Sequence, residues 1–137
     1  MLLTVEKVIL LGYAPFLVEL PGATLAEVAG YVEEVVCETG QVVCRQGETA
    51  DAMYIVAAGA VELAEQGRAT RRVEQNGVFG ELAAMHPTQA TATATALEDA
   101  VLLKLDRDAL QEIIADHADV ANSVIDYLCR RLEAAGA

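Results

Sequence analysis

Between Gly40 and Ala96 the chain has no room for a long helix. Gly40, Gly47, Gly59, Gly67 and Gly77 interrupt it at intervals of seven to twelve residues, and the stretches between them are rich in Val, Ile, Tyr or Thr. Segments 33–38, 41–45, 52–58, 60–65, 70–75, 91–97 and 100–105 each read as a short strand bounded by turn residues. Strands of this length and spacing predict a compact antiparallel barrel or sandwich. The Ala-Thr alternation from Ala90 to Ala96 fits the same scheme, because alternating a small with a β-branched residue suits a strand that packs tightly on one face.

Helical spacing flanks this region. Thr4 is placed to cap a first short helix whose apolar face is Val5, Val8 and Ile9, ended by Gly12 and Pro15. A second helix is expected from about Thr24, with Leu25, Val28, Ala29 and Val32 at helical spacing, before the β-branched pair Val35-Val36 turns the chain to strand. After Leu105 the helical period returns. Asp106 is a predicted N-cap, Asp108 sits in the first turn, and Leu110, Ile113 and Ile114 mark the buried side to about residue 116. A last helix from Ala118 carries the stripe Val120, Ala121, Val124, Ile125, Leu128 and Leu132. Such a face packs either on its own barrel or, as the alternative, on a partner helix, with residues 118–134 as the seam of a homodimer.

At 137 residues, 54% of them hydrophobic, the chain is expected to form one domain: N-terminal helices over about 4–32, a β-roll over 33–105 and C-terminal helices over 106–134. Nine Lys and Arg against a net charge of −12 argue against a nucleic-acid partner, whose affinity would come from neutralised phosphates. Arg68, Arg71, Arg72 and the pair Arg130-Arg131 read as solvated charge. Three cysteines, Cys37, Cys44 and Cys129, form no disulfide framework and are expected as free buried thiols in a reducing compartment. With His86 and His117 far away in sequence they give no metal-site spacing. The apolar run Val8–Val18 is eleven residues and is broken by Gly12 and Pro15, so no membrane insertion is expected and the protein is placed in the cytoplasm.

The chemistry concentrates at Gly77-Val78-Phe79-Gly80-Glu81-Leu82-Ala83. A glycine ahead of a helix start lets a ligand approach outward-pointing backbone N–H groups, which favour an anion. The Glu81 carboxylate accepts hydrogen bonds from vicinal sugar hydroxyls, so the pair Gly80 and Glu81 suits a phosphorylated ribose.

Taken with Glu38-Thr39-Gly40, Arg45-Gln46-Gly47-Glu48, Met53 to Gly59, Ala92 to Asp99 and the final two helices, this motif makes residues 16–134 resemble the cyclic-nucleotide-binding domains of catabolite-activator proteins, kinase regulatory subunits and gated channels. The resemblance implies a mainly β fold: an antiparallel β-roll, a jelly-roll-like double-stranded β-helix, with N-terminal helices and two C-terminal helices. It also implies a phosphate-binding cassette over Phe79, Gly80, Glu81, Leu82 and Ala83, continued at Gln89, Ala90 and Thr91. The Gly80 backbone and the amides after it would meet the cyclic phosphate, and Glu81 would accept from the ribose 2′-hydroxyl. The ligand implied is cAMP or cGMP, sensed and relayed through the C-terminal helices.

The chain departs from the family pattern at Ala90, where the phosphate-pairing arginine is expected. Losing one partner of a close charge pair costs about 2–5 kcal/mol, which moves a micromolar site to the hundred-micromolar or millimolar range. Thr88, Gln89, Thr91 and Thr93 offer only neutral hydrogen bonds in exchange. His86, before Pro87, reads as an exposed loop residue, with a protonated imidazole near the phosphate as the alternative. In many family members the last helix runs on to lay polar or aromatic side chains over the base, whereas here it ends Leu132-Glu133-Ala134-Ala135-Gly136-Ala137, and similar domains often ride on a larger chain. No nucleophile and base are spaced for catalysis, so the expected function is non-enzymatic and regulatory. The competing expectation is a degenerate domain serving dimerisation or protein interaction.

Overall fold

Alternating apolar residues on β-strands that are covered on both sides give near-continuous apolar runs. Ala52–Ala58 (β4) and Ala100–Asp106 (β10) are such strands, and they form the centre of the computed structural model, which describes residues 1–136. Met53, Ile55, Leu103 and Leu105 point to one side and pack on the helices. Val56, Ala100 and Leu102 point to the other and pack inside the roll. With Glu33–Cys37 (β1) and Val78–Phe79 (β7) they make an antiparallel sheet in the order β1-β10-β4-β7.

The facing sheet has the order β2-β9-β5-β6, from Val42–Cys44 (β2), Thr93–Ala96 (β9), Val61–Glu65 (β5) and Arg68–Val73 (β6). The alternation in β9 puts Ala94 and Ala96 in the core and leaves Thr93 and Thr95 half-buried, so the small residues let the two sheets approach. Thr49–Ala50 (β3) and Thr88–Gln89 (β8) pair as a separate two-residue ribbon. This is the antiparallel β-roll, flanked by N-terminal and C-terminal helices, that the sequence led us to expect.

Several boundaries move. The first helix, Thr4–Leu11 (α1), starts at Thr4 itself; Leu3 is its N-cap, and the Glu6 carboxylate accepts the Leu3 N–H at 3.0 Å. Leu10 and Leu11 are its buried residues, whereas Val5 and Ile9 are exposed, because the helix rests on the core by its C-terminal turn. The second, Gly22–Val28 (α2), begins earlier than Thr24, after Pro21, and runs into a 3-10 turn at Ala29–Tyr31, leaving Val32 extended. Strand β6 lies two residues N-terminal of the expected 70–75, since Gln66 and Gly67, both at positive φ, reverse the chain in a tight turn. Strands β3, β7 and β8 are too short to leave a periodic signature.

At the C-terminal side, the Asp106 carboxylate accepts the Ala109 N–H at 2.9 Å and caps Arg107–Asp116 (α4) as expected. The last helix, Ala118–Ala134 (α5), divides its stripe: Val120 and Val124 are buried in the core, while Ile125, Leu128 and Leu132 are exposed. Among the cysteines only Cys37 is buried; Cys44 is half-buried and Cys129 exposed, so the expectation of three buried thiols holds for one. All three are free. Burial pushes the Cys37 and Cys44 thiols above their ordinary value.

Candidate functional site

The turn into the short helix Glu81–Met85 (α3) is forced by glycine. Gly80 has φ +80°, and a Cβ there would lie 2.5 Å from the Ala52 carbonyl oxygen of β4. Only a residue without a side chain allows β7 to end so close to β4 and swing directly into α3. The Gly80 carbonyl then accepts from the amides of Ala83 and Ala84 at 3.1 and 3.3 Å. Helical geometry leaves the amides of Glu81 and Leu82 without an intrahelical acceptor.

That turn forms one wall of a cavity of about 440 Å³. This volume is in the range of small-molecule sites. Phe79, Gly80, Glu81, Leu82, Ala83, Gln89, Ala90 and Thr91, the eight residues singled out from sequence, all line it. The β3–β8 ribbon brings the second group to the first: Ala90 donates its N–H to the Glu48 carbonyl at 2.8 Å and accepts the Gly47 N–H at 2.9 Å. Tyr54 and Phe79, directly opposite in the β4–β7 register, stack at 5.1 Å and 17° and give the cavity an aromatic floor. Burial, together with the nearby thiols and carboxylates, pushes the Tyr54 phenol up to about 12.

His86 is exposed at the end of α3, as its loop reading expected, and is not on the cavity wall. Thr93, an expected contributor, uses its hydroxyl to accept the Gln46 N–H at 2.9 Å and lies off the wall.

The charges of the cavity were less visible in the sequence. Glu48, Asp51 and Glu81 line it, and among the described wall residues the single cation is Arg71. Arg71 is exposed, as expected of a solvated charge, and it also lines the cavity. Its Nη2 donates to the Val78 carbonyl at 3.0 Å, which ties β6 to β7 and holds the guanidinium at the wall. Arg45, Arg72 and Arg130 each pair with a carboxylate, and Arg71 has no such pair among the described residues. The available signal was period two on β6: Arg71 shares the inward face with the buried Val73.

Tyr127 of α5 is the second residue that sequence reading passed over. Its hydroxyl lies 3.5 Å from Glu81 Oε1, and Arg131 Nη1 donates to the same hydroxyl at 3.2 Å. Tyr127 stands at i+7 from Val120 and i+3 from Val124, on the buried face of α5, whereas the predicted stripe followed i+4 steps to Leu128. Among the described residues there is no cluster of metal-ligating side chains, and no helix is long and apolar enough to cross a membrane.

A family model described as "Cyclic nucleotide-binding domain" matches residues 34–117. A cAMP-dependent protein kinase regulatory subunit from Yarrowia lipolytica is 34% identical over 95 residues, covering 69% of this chain and 25% of its own. A CRP-like cAMP-activated global transcriptional regulator from Mycobacterium tuberculosis is 28% identical over 115 residues, 80% of this chain and 51% of its own. The chain thus spans between a quarter and about half of these relatives. The N-terminal domain of a transcriptional regulator from Streptomyces coelicolor A3(2) superposes with a TM-score of 0.87 at 27% identity, covering 93% of this chain and 92% of that one. The β-roll, the Gly80 turn and these matches together place the chain in the cyclic nucleotide-binding domain family.

Proposed function

We propose that the protein is a non-enzymatic regulatory domain that senses a cyclic nucleotide in the cavity behind the Gly80 turn and prefers guanine to adenine. The observation that carries this reading is the polar equipment of that cavity: Glu81 beside the turn and Arg71 as the only cation on the described wall. Glu81 accepts from ribose hydroxyls. A guanidinium offers donors only, so it pairs with the adjacent O6 and N7 acceptors of guanine and meets the amino group of adenine with the wrong polarity. The aromatic pair Tyr54 and Phe79 supplies an apolar surface for a purine.

Affinity is expected to be weak. Ala90 stands where the family pattern asks for a phosphate-pairing arginine, and its side chain brings no charge to the cavity. A dissociation constant in the hundred-micromolar to millimolar range follows from a loss of about 2–5 kcal/mol.

Isothermal calorimetry with cGMP and cAMP tests the reading, with Arg71→Ala as the second arm. A bidentate contact of this type discriminates by about 1–3 kcal/mol, so cGMP should bind tenfold or more tighter and the variant should lose that margin. Equal binding of both nucleotides removes Arg71 from the reading, and binding of neither removes the sensor. The second outcome would favour an interaction module, for which the exposed residues Ile125, Leu128 and Leu132 of α5 are the supporting observation.

A further inference from the structure

We propose that Tyr127 is the positioning residue for Glu81: it holds one carboxylate oxygen from α5 and so turns the other toward the hydroxyls of a ligand. The inference rests on the cyclic-nucleotide reading and deepens it.

A glutamate side chain at the mouth of a cavity has three rotatable bonds, and a hydrogen bond to a ligand hydroxyl is worth most when those bonds are fixed beforehand. Here Glu81 Oε1 lies 3.5 Å from the Tyr127 hydroxyl. The tyrosine is itself fixed. Its ring packs on the fully buried Phe16 at 6.2 Å, and Arg131 reaches back one turn, donating to the hydroxyl at 3.2 Å with its guanidinium carbon 5.8 Å from the ring centroid. One turn earlier on the same face, the Ser123 hydroxyl donates to the Phe16 carbonyl, so two α5 residues grip one point of the α1–α2 loop. The Tyr127 hydroxyl accepts from Arg131 and can still donate to Glu81, which leaves the second carboxylate oxygen unclaimed by this network. Glu81 is half-buried and lines the cavity.

Burial raises the Tyr127 phenol above its ordinary value; Arg131 opposes the shift and the Glu81 charge adds to it. The contact therefore has a signature that needs no ligand.

Two measurements test the assignment. In calorimetry, cGMP and 2′-deoxy-cGMP are compared on the native protein and on Tyr127→Phe, which keeps the ring on Phe16. The native protein should prefer the 2′-hydroxyl by about tenfold or more, and Tyr127→Phe should reduce that preference to about threefold or less. An undiminished preference in the variant overturns the proposal. In ligand-free protein, NMR titration of the tyrosine ring carbons should show the Tyr127 phenol ionising at lower pH in Glu81→Gln than in the native chain. An unchanged titration overturns it. Should the native protein bind neither nucleotide, the cyclic-nucleotide reading falls, and the titration alone decides whether Tyr127 holds Glu81.

Discussion

Replacing Gly80 by alanine separates two costs that are usually confounded. The residue sits at φ +80°, a left-handed conformation that costs an L-residue about 1–2 kcal/mol. The new methyl would also stand 2.5 Å from the Ala52 carbonyl oxygen, so one partner must retreat by roughly 1 Å to reach ordinary van der Waals separation. Ala52 belongs to β4, which is bonded to β10 on one side and β7 on the other, so the retreat disturbs the central sheet. Overpacking of this kind costs about 1–3 kcal/mol. Gly40 provides the control, because it has φ +85° with nothing within 4 Å of its Cβ position. Both alanines stiffen the unfolded chain by about 0.4–1 kcal/mol, which offsets part of the conformational cost equally in each. Gly40→Ala should therefore destabilise by about 1 kcal/mol and Gly80→Ala by about 2–4 kcal/mol. Urea unfolding with a common slope measures both. Destabilisation of the two variants within about 0.5 kcal/mol of each other would refute the steric half of the reasoning.

Asp106→Ala should cost about 1 kcal/mol by leaving the Ala109 amide uncapped, and Asp106→Asn should restore most of it; thermal melts compare the three proteins. Ala90→Arg should tighten cGMP binding by on the order of a hundredfold, within the range expected for a close charge pair, and calorimetry showing no gain would place residue 90 away from the phosphate. Tyr54 gives a pH prediction. Its phenol ionises near 10 when unfolded and near 12 when folded, so its contribution to stability is complete below pH 10 and is lost as pH rises through that window. Urea midpoints at pH 8 and pH 11.5 should fall less steeply for Tyr54→Phe than for the native chain.

The antiparallel β architecture was legible because its causes are local, and the resemblance narrowed it to a β-roll. Glycines every seven to twelve residues and apolar alternation in β4, β9 and β10 allow few arrangements, and the Asp106 cap is a contact between residues three apart. The Gly80 turn was legible for the same reason, since its glycine and its carboxylate are adjacent in the chain. What sequence reading missed were pairings across distance. Two-residue strands such as β3 and β8 exist only because residues about forty positions apart meet. Arg71 looked like one of several surface arginines until the fold set β6 of one sheet within side-chain reach of β7 in the other, where its guanidinium donates to the Val78 carbonyl. Tyr127 lies 46 residues from Glu81, and nothing in either neighbourhood points to the other.

Backbone preference and short-range periodicity in the sequence thus determined the antiparallel β class and the glycine turn, and the family resemblance pointed to eight of the residues on the cavity wall. Only the tertiary structure decided the charge of that cavity and the link from Glu81 to α5. Long side chains act several ångströms from their own backbone, and where they end depends on which elements pack beside them.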